Sequence, residues 1–500
     1  MNSPSEADEA QLPGTDATVP HPEEIFVGGS WTPAFEGRRL EVLSPADGSF
    51  VVEVAAPGIA EAEAAVSAAD DAFKTGPWPR TPVAERVEIC RRFCEKLAAE
   101  FDDLGQVWAV ESGMPVAWSD RLHRYAAEPA WTAALATASH ALESEGRESP
   151  AGEVVLTREP VGPVLALLPY NGPIATIGTK VVPALLAGCP VIVKAAPESA
   201  LVSRRIAECA RTSGFPTGTI SIIAADTEVS RHLARSRAIT LISLTGGTAA
   251  ARDIIESTLD RLPRTVLELG GKSPAILLED FDLSAALPAL VAGAMSGAGQ
   301  VCTTLSRILV PEEREDEVVA AMGKAYAALR IGPPLDPATQ HGPLVNRRAW
   351  ERARDFVDGA TAEGARVAAG GGRPSGFPHG WYFAPTLLSD VKPTMTVARE
   401  EVFGPVTCVI PYKDVEEAVQ IANQSELGLA GAVFGPDLYL AMTVARRLEA
   451  GSVAINTVGP TLTVPYGGVK SSGWGREGGP EGTREFTEFK QILTPRRRSD

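Results

Sequence analysis

From Val161 onward the chain alternates short apolar runs with helical stretches, and that rhythm restricts it to one kind of architecture. Val164 to Leu168 is an apolar run ending at Pro169. A helical stretch from about Ile174 to Ala187 follows, Gly188 stops it, and Val191-Ile192-Val193 is the next strand. Helices over 199–212, over 227–236 and after Gly246-Gly247 then alternate with strands at Ile220–Ala224, Ile239–Leu244 and Thr265–Leu269. Parallel neighbours need a long crossover, usually a helix, so repeated βαβ units predict a parallel sheet with helices on both faces. After Gly270-Gly271 a second alternating block begins with Ala275-Ile276-Leu277, a helix over 283–296 and Ile308-Leu309-Val310. Helices near 312–328, 347–363, 414–423 and 437–449 alternate there with strands at Val406–Ile410 and Ser452–Ile455. The front section reads as helices at Ala60–Phe73 and Val83–Val110, separated by Pro77, Pro79 and Pro82. The fold class is α/β, with two parallel-sheet domains.

Composition removes several functions. A formal charge of −17 argues against nucleic acid or an anionic membrane as the main partner. The single basic run, Arg496-Arg497-Arg498, reads as a solvated tail. The most apolar stretch, Val161 to Val193, is broken by Pro169, Pro173, Lys180, Pro183 and Pro190, which excludes a membrane span. Residues 1–22 are polar, acidic and spotted with proline, without the basic and apolar regions of a signal peptide, and read as a disordered tail. Six scattered cysteines make no disulfide framework and, with no His or Cys cluster beside Cys90 and Cys94, no metal site is expected. The expected location is the reducing cytoplasm.

Three residues carry candidate chemistry. Cys302 follows a glycine-rich turn (Gly297, Gly299) whose backbone N–H groups can face an anion, although a cysteine is more often a buried structural thiol. Asn171, in Pro169-Tyr170-Asn171-Gly172-Pro173, stands at the carboxyl end of a strand, where ligands bind in such sheets. Its amide can stabilise an oxyanion, and the bland alternative is a turn residue between two prolines. Glu268 ends an apolar strand before Gly270-Gly271. Partial desolvation there would raise its pKa and suit it to activating water, the alternative being a paired structural carboxylate. Two features suggest a dinucleotide: Lys194 at the end of a strand, placed for ribose hydroxyls or phosphate, and Thr245-Gly246-Gly247-Thr248, where a helix N-terminus can meet a pyrophosphate.

Several longer motifs join these residues: Leu267-Glu268-Leu269-Gly270-Gly271-Lys272-Ser273-Pro274, Gly299-Gln300-Val301-Cys302, Glu400-Glu401-Val402-Phe403-Gly404-Pro405-Val406, Pro465-Tyr466-Gly467-Gly468-Val469-Lys470 and Glu485-Phe486-Thr487-Glu488-Phe489-Lys490. In this order and spacing, from about Ile25 to Leu493, the chain resembles the aldehyde dehydrogenase superfamily of the NAD(P)-dependent, hydrolytic type. The resemblance implies Cys302 as the nucleophile, Asn171 as the oxyanion amide and Glu268 as the base that releases the acid from a thioester. It implies a cofactor site of Lys194, Glu198, Gly246, Gly247, Leu269, Glu401 and Phe403, with NAD as the cofactor and NADP as the alternative. It implies a Rossmann-like dinucleotide-binding domain over 23–140 and 160–267 and a catalytic domain over 268–475. An oligomerisation arm over 141–159 and 480–495 would make the chain a homodimer or homotetramer.

Departures from the family pattern direct attention to the substrate. Tyr170 replaces the usual tryptophan, and Gly172 replaces a bulky residue, which should widen the pocket. Pro197 stands where a glutamate commonly grips the adenosine ribose. Glu198, next to it, is the candidate substitute, and the preference for NAD is weakened. Leu244 and Gly247 are milder changes. Val301, Thr303 and Tyr466, with Tyr170 and Gly172, suggest an uncharged, fairly hydrophobic aldehyde. A semialdehyde would need a channel cation, with Arg121 and Arg124 as donors. A CoA-acylating relative is disfavoured by Glu268, since thiolysis needs no base there. A non-catalytic dinucleotide-binding protein is disfavoured by the intact thiol, amide and carboxylate.

Overall fold

A computed structural model describes residues 9–495. The first alternating block forms the centre of an eight-stranded sheet. Its five parallel strands lie in the order Arg264–Glu268, Leu241–Thr245, Val164–Leu167, Val191–Ala195, Ile220–Ala224. The chain therefore starts in the middle, runs outward to one edge, and returns to fill the other side. The change of direction falls between Val164–Leu167 and Leu241–Thr245, which is where such sheets open a crevice at their carboxyl ends. Antiparallel strands Glu24–Val27 and Ser30–Pro33 finish one edge.

The second block forms a seven-stranded sheet, parallel except for Arg366–Ala369 at its edge. Its first strand in the chain, Ser273–Leu277, lies beside the central strand Leu305–Pro311 and begins five residues beyond the end of Arg264–Glu268. The carboxyl end of the first sheet thus runs directly into the amino end of the second. Ser273 pairs with Leu305, so the segment just before Leu305, which holds Cys302, lies against Gly270-Gly271. A Cβ on Gly271 would stand 2.5 Å from the Cys302 carbonyl oxygen, a close approach that requires glycine.

Helices cover both sheets through apolar stripes. In Arg347–Ala362 the buried residues are Ala353, Val357 and Ala360, one face of the helix. Asn346 caps that helix by accepting from Ala349 N–H at 3.0 Å, worth about 1 kcal/mol.

The third sheet pairs Thr487–Pro495 with Gly152–Pro160 along nine residues, and Gly152–Pro160 with Glu145–Ser149. Phe489, Ile492 and Leu493 on it are exposed.

Several expectations change. The segment read as a disordered tail is folded from Glu9 on: Glu9–Gln11 and Thr18–Pro20 form a hairpin that buries Leu12, Ala17 and Val19. Those three apolar residues in a polar stretch are its signal. Residues 1–8 and the triplet Arg496-Arg497-Arg498 lie outside the described residues. The helix read as Val83–Val110 is two, Val83–Ala99 and Phe101–Ser112. Gly473–Trp474, assigned by sequence to the second domain, pairs with the end of Arg264–Glu268 and so completes the first sheet.

Two histidines are buried outside the site. His123 is stacked between Phe101 and Trp108, and His341 holds the Phe383 carbonyl through Nε2 at 2.9 Å. Burial pushes each down to about 4. Between about pH 6.5 and 4 the unfolded chain binds protons that the folded chain refuses, so stability falls as the pH falls through that window. Each histidine should remove about 2 kcal/mol at pH 5. His123→Phe should therefore lose less stability than the parent between pH 7.5 and 5 in urea unfolding. Equal losses would show that His123 is not the source.

Candidate active site

Cys302 is the only described cysteine that is not buried; Cys90, Cys94, Cys189, Cys209 and Cys408 all are. It stands on a loop of unusual backbone. Gly297, Ala298 and Gly299 all have positive φ (54°, 56° and 73°). Alanine pays a steric cost there of roughly 1–2 kcal/mol. Gly299 tolerates no side chain, because its Cβ would collide with the Gly404 carbonyl. Phe403, on the adjoining segment, is also left-handed at φ 58°, a strained state for a bulky residue.

One buried side chain holds this loop in place. Gln300 is fully buried, and its Oε1 accepts from Tyr170 Oη–H at 3.1 Å and from Val345 N–H at 3.0 Å. Its Nε2 donates to the Gly297 carbonyl at 3.0 Å. Asn171 Nδ2 donates to the Gln300 carbonyl at 2.8 Å. An amide nitrogen has two donors, so Asn171 keeps one N–H for a substrate oxygen. Trp108 Nε1 donates to the Tyr170 carbonyl at 2.8 Å, and Tyr170 packs edge-on to Phe403 at 6.3 Å.

Glu268 is 3% exposed, and neither carboxylate oxygen has a hydrogen-bond partner. Burial, and then the nearby Glu477 carboxylate, push its pKa well up, while Lys180 and Arg476 pull it down. Lys180 and Glu477 form a buried ion pair, and Lys180 Nζ also donates to Ser243 Oγ at 3.0 Å. Burial pushes the Cys302 thiol up to about 12; Glu268 and Glu401 add to this, and the Tyr466 hydroxyl opposes it. The nucleophile and the base candidate therefore feel one another's charge.

The cofactor candidates line the carboxyl end of the first sheet. Lys194, next to last in the strand Val191–Ala195, is half-buried with no ion pair among the described residues, and desolvation lowers it to about 8. Gly247 begins the helix Thr248–Ser257 with no side-chain cap, which leaves N–H groups free for an anion. Gly246 N–H donates to the Glu268 carbonyl at 3.0 Å, and Leu269 N–H to the Ser472 carbonyl at 3.1 Å. Glu401 accepts from Gly271 N–H at 2.9 Å, and its carboxylate occupies the space a Cβ on Gly270 would need. Lys194 and Glu401 form no ion pair with each other. Glu198 departs from expectation: its carboxylate accepts from Asn346 Nδ2 at 3.0 Å, so it is tied to the second sheet's helix cap. Proline at 197 moves the acid one position along, and the cap amide is within its reach.

Around the thiol, Val301 and Thr303 are half-buried, and Tyr466 brings its hydroxyl to 3.6 Å from Cys302 Sγ. A Cβ on Gly297 would touch Val301, Met114 and Trp118 within 3.5 Å, so these three apolar side chains converge beside the loop. Gly172 has room for a side chain, its nearest neighbour being Ala175 at 3.9 Å. Arg124 instead pairs with Asp120 and Asp102 on the surface, and Arg121 is exposed. Sequence reasoning missed Gln300 as a clamp, Met114 and Trp118 as apolar neighbours of the loop, and the Lys180–Glu477 pair. The last had a signal: a lone lysine within a long apolar run needs a buried partner.

Gln300→Leu would strand the Tyr170 hydroxyl and the Val345 N–H, while the Gly297 carbonyl keeps the Gln300 backbone N–H. At about 1–3 kcal/mol each, the variant should lose at least about 2 kcal/mol in denaturant unfolding. A loss under 1 kcal/mol would show that the clamp contributes little.

Comparison with known proteins gives this geometry a family. The family model described as "Aldehyde dehydrogenase family" matches residues 31–492. Geranial dehydrogenase of Castellaniella defragrans is 38% identical over 481 residues, covering 95% of this chain and 99% of that protein. A Mycobacterium tuberculosis aldehyde dehydrogenase crystallised with NAD+ superposes with a TM-score of 0.92 at 38% identity, covering 95% of this chain and 98% of that one. Betaine aldehyde dehydrogenase of Staphylococcus aureus, also with NAD+, gives 0.92 at 31% identity, with 95% of each chain covered. With the thiol, amide and carboxylate gathered where the two sheets meet, the chain belongs to the aldehyde dehydrogenase family.

Proposed function

We propose that the protein oxidises an uncharged, hydrophobic aldehyde to its carboxylic acid, with Cys302 as nucleophile, Asn171 as oxyanion donor and Glu268 as base. The observation that carries this reading is the pairing of the one half-exposed thiol with a buried carboxyl group that has no partner of its own. A carboxylate kept for structure would be hydrogen-bonded. The residues at the sheet end suit a dinucleotide: an uncapped helix N-terminus after Gly247, an unpaired Lys194 and the Glu401 carboxylate against Gly270. NAD, when bound, supplies the hydride acceptor; two of the solved relatives hold it.

The Cys302 sulfur attacks the carbonyl carbon, and the oxygen that gains charge takes hydrogen bonds from the free Asn171 N–H and from the Cys302 backbone N–H. Loss of such a donor costs roughly 2.7–4 kcal/mol in the rate. Once the substrate carbon is oxidised, it remains on Cys302 as a thioester. Glu268 then takes a proton from water, the water oxygen attacks the thioester carbon, and the C–S bond breaks to free the acid. The raised pKa of Glu268 makes it a good proton acceptor and leaves it protonated at neutral pH, so turnover should rise with pH as it ionises.

The first sheet serves as the dinucleotide-binding unit and the second as the catalytic unit. The three-stranded sheet, with Phe489, Ile492 and Leu493 uncovered, supports its reading as an arm that joins copies into a homo-oligomer. Among the described residues no helix is long and apolar enough to cross a membrane. Pro197 and the diversion of Glu198 to Asn346 support use of NADP beside NAD. The convergence of Val301, Met114 and Trp118, the space at Gly172, and the name of the geranial-oxidising relative all support an apolar substrate.

Glu268→Gln should still give one equivalent of reduced cofactor per site, then stall, with an acyl adduct on Cys302 in the mass spectrum. Cys302→Ala should give neither. Full steady turnover in either variant would overturn the mechanism, and acyl-CoA as the main product on adding CoA would overturn the hydrolytic assignment. In a panel of aldehydes, Gly172→Trp should lower kcat/KM at least about tenfold for long or branched apolar substrates, about 1.4 kcal/mol, and spare acetaldehyde. An equal effect on both, or preference of the parent enzyme for a semialdehyde, would overturn the pocket assignment.

A further inference from the structure

Tyr466 stands closer to the nucleophile than a pocket wall has to. Its Oη lies 3.6 Å from Cys302 Sγ, within hydrogen-bond range for the larger sulfur atom. No other partner of that hydroxyl occurs among the described residues. The side chain is buried, at 7% exposure. Its backbone is fixed from both directions: Tyr466 N–H donates to the Glu477 carbonyl and Glu477 N–H to the Tyr466 carbonyl, each at 2.7 Å. The next residue, Gly467, faces the base, since a Cβ there would lie 2.6 Å from Glu268 Oε1. A single dipeptide therefore touches the sulfur with one residue and the carboxylate with the other. The residue bridged to it, Glu477, holds Lys180.

A hydroxyl facing a thiol can donate or accept, but facing a thiolate it can only donate. Here that matters, because burial works against ionisation of Cys302, while the Tyr466 hydrogen bond favours it. Burial also keeps the phenol protonated, its pKa being well above the ordinary value. Phenylalanine would fill the same space without the donor.

We propose that Tyr466 is a further catalytic residue, whose hydroxyl donates a hydrogen bond to the Cys302 thiolate and so sets how much of the half-buried thiol is ionised. The step balances without any bond change at Tyr466: the S–H bond breaks, its proton goes to water, its electron pair stays on sulfur, and the phenol O–H remains whole. The proposal rests on the reading of Cys302 as nucleophile.

The test is the rate at which iodoacetamide alkylates residue 302, followed by peptide mass spectrometry from pH 6 to 10, in the full chain and in Tyr466→Phe. Loss of the donor should raise the thiol pKa by about one unit, so the variant should react about tenfold more slowly at each pH below the midpoint. kcat/KM for an aldehyde should fall by a similar factor, with KM for NAD and the unfolding midpoint unchanged. Alkylation profiles that coincide would overturn the proposal and leave Tyr466 as a wall, and so would a faster variant. Cys302→Ala separates the two levels. If it still turns over aldehyde, the nucleophile assignment fails and this proposal with it. If it is inactive while Tyr466→Phe is unshifted, only the proposal about Tyr466 fails.

Discussion

The site depends on one buried amide. Gln300 receives hydrogen bonds from the first sheet through Tyr170 and Asn171, grips its own loop at Gly297, and receives Val345 from the helical side of the second sheet. Two sheets that could pack in many relative positions are fixed at the point where the thiol emerges. A buried polar network of this kind specifies geometry because every misplacement leaves a donor or acceptor unpaired in a low dielectric. The left-handed run Gly297–Gly299 is held by the same contacts, so the backbone strain at Ala298 persists without relaxing.

Against that rigid frame, the groups proposed to react are left unsatisfied. Glu268 is buried with two empty oxygens, and Cys302 is half-buried with only a tyrosine hydroxyl for company. Each would be more stable with a partner, and each lack suits the chemistry. A carboxylate without hydrogen bonds is a stronger base, and a half-buried thiol meets an aldehyde with little competing water. Phe403, strained at φ 58° and packed edge-on to Tyr170, belongs to the same economy of local strain around a function.

Much of this was legible in advance. The alternation of apolar runs and helices from Val161 onward names both sheets, because parallel strands and their crossovers leave a periodic trace. Cys302, Asn171 and Glu268 stand at strand or loop ends, and that position suggested chemistry before any geometry was known. What stayed hidden involved partners distant in sequence. Glu198 sits in the right motif, yet Asn346 takes its carboxylate. Lys180 broke an apolar run, and only Glu477, nearly three hundred residues later, explains it. The short strand Gly473–Trp474 crosses back to the first sheet because Gly473 meets Glu268 there, a pairing with no periodic signal of its own. The hairpin from Glu9 to Pro20 was masked by its polar flanks, although Leu12, Ala17 and Val19 are its buried residues.

By itself, the order of residues determined the class of fold and singled out the three candidate reacting residues, since period and turn chemistry are local properties of the chain. Tertiary structure alone decided what those residues face. Tyr466 read as a pocket wall by its apolar ring, and its hydroxyl was found on the sulfur because the bridge to Glu477 turns it there. Which group lies beside which is fixed by packing between segments far apart in sequence, and the energy of a hydrogen bond or a buried charge depends on distances that no local pattern encodes.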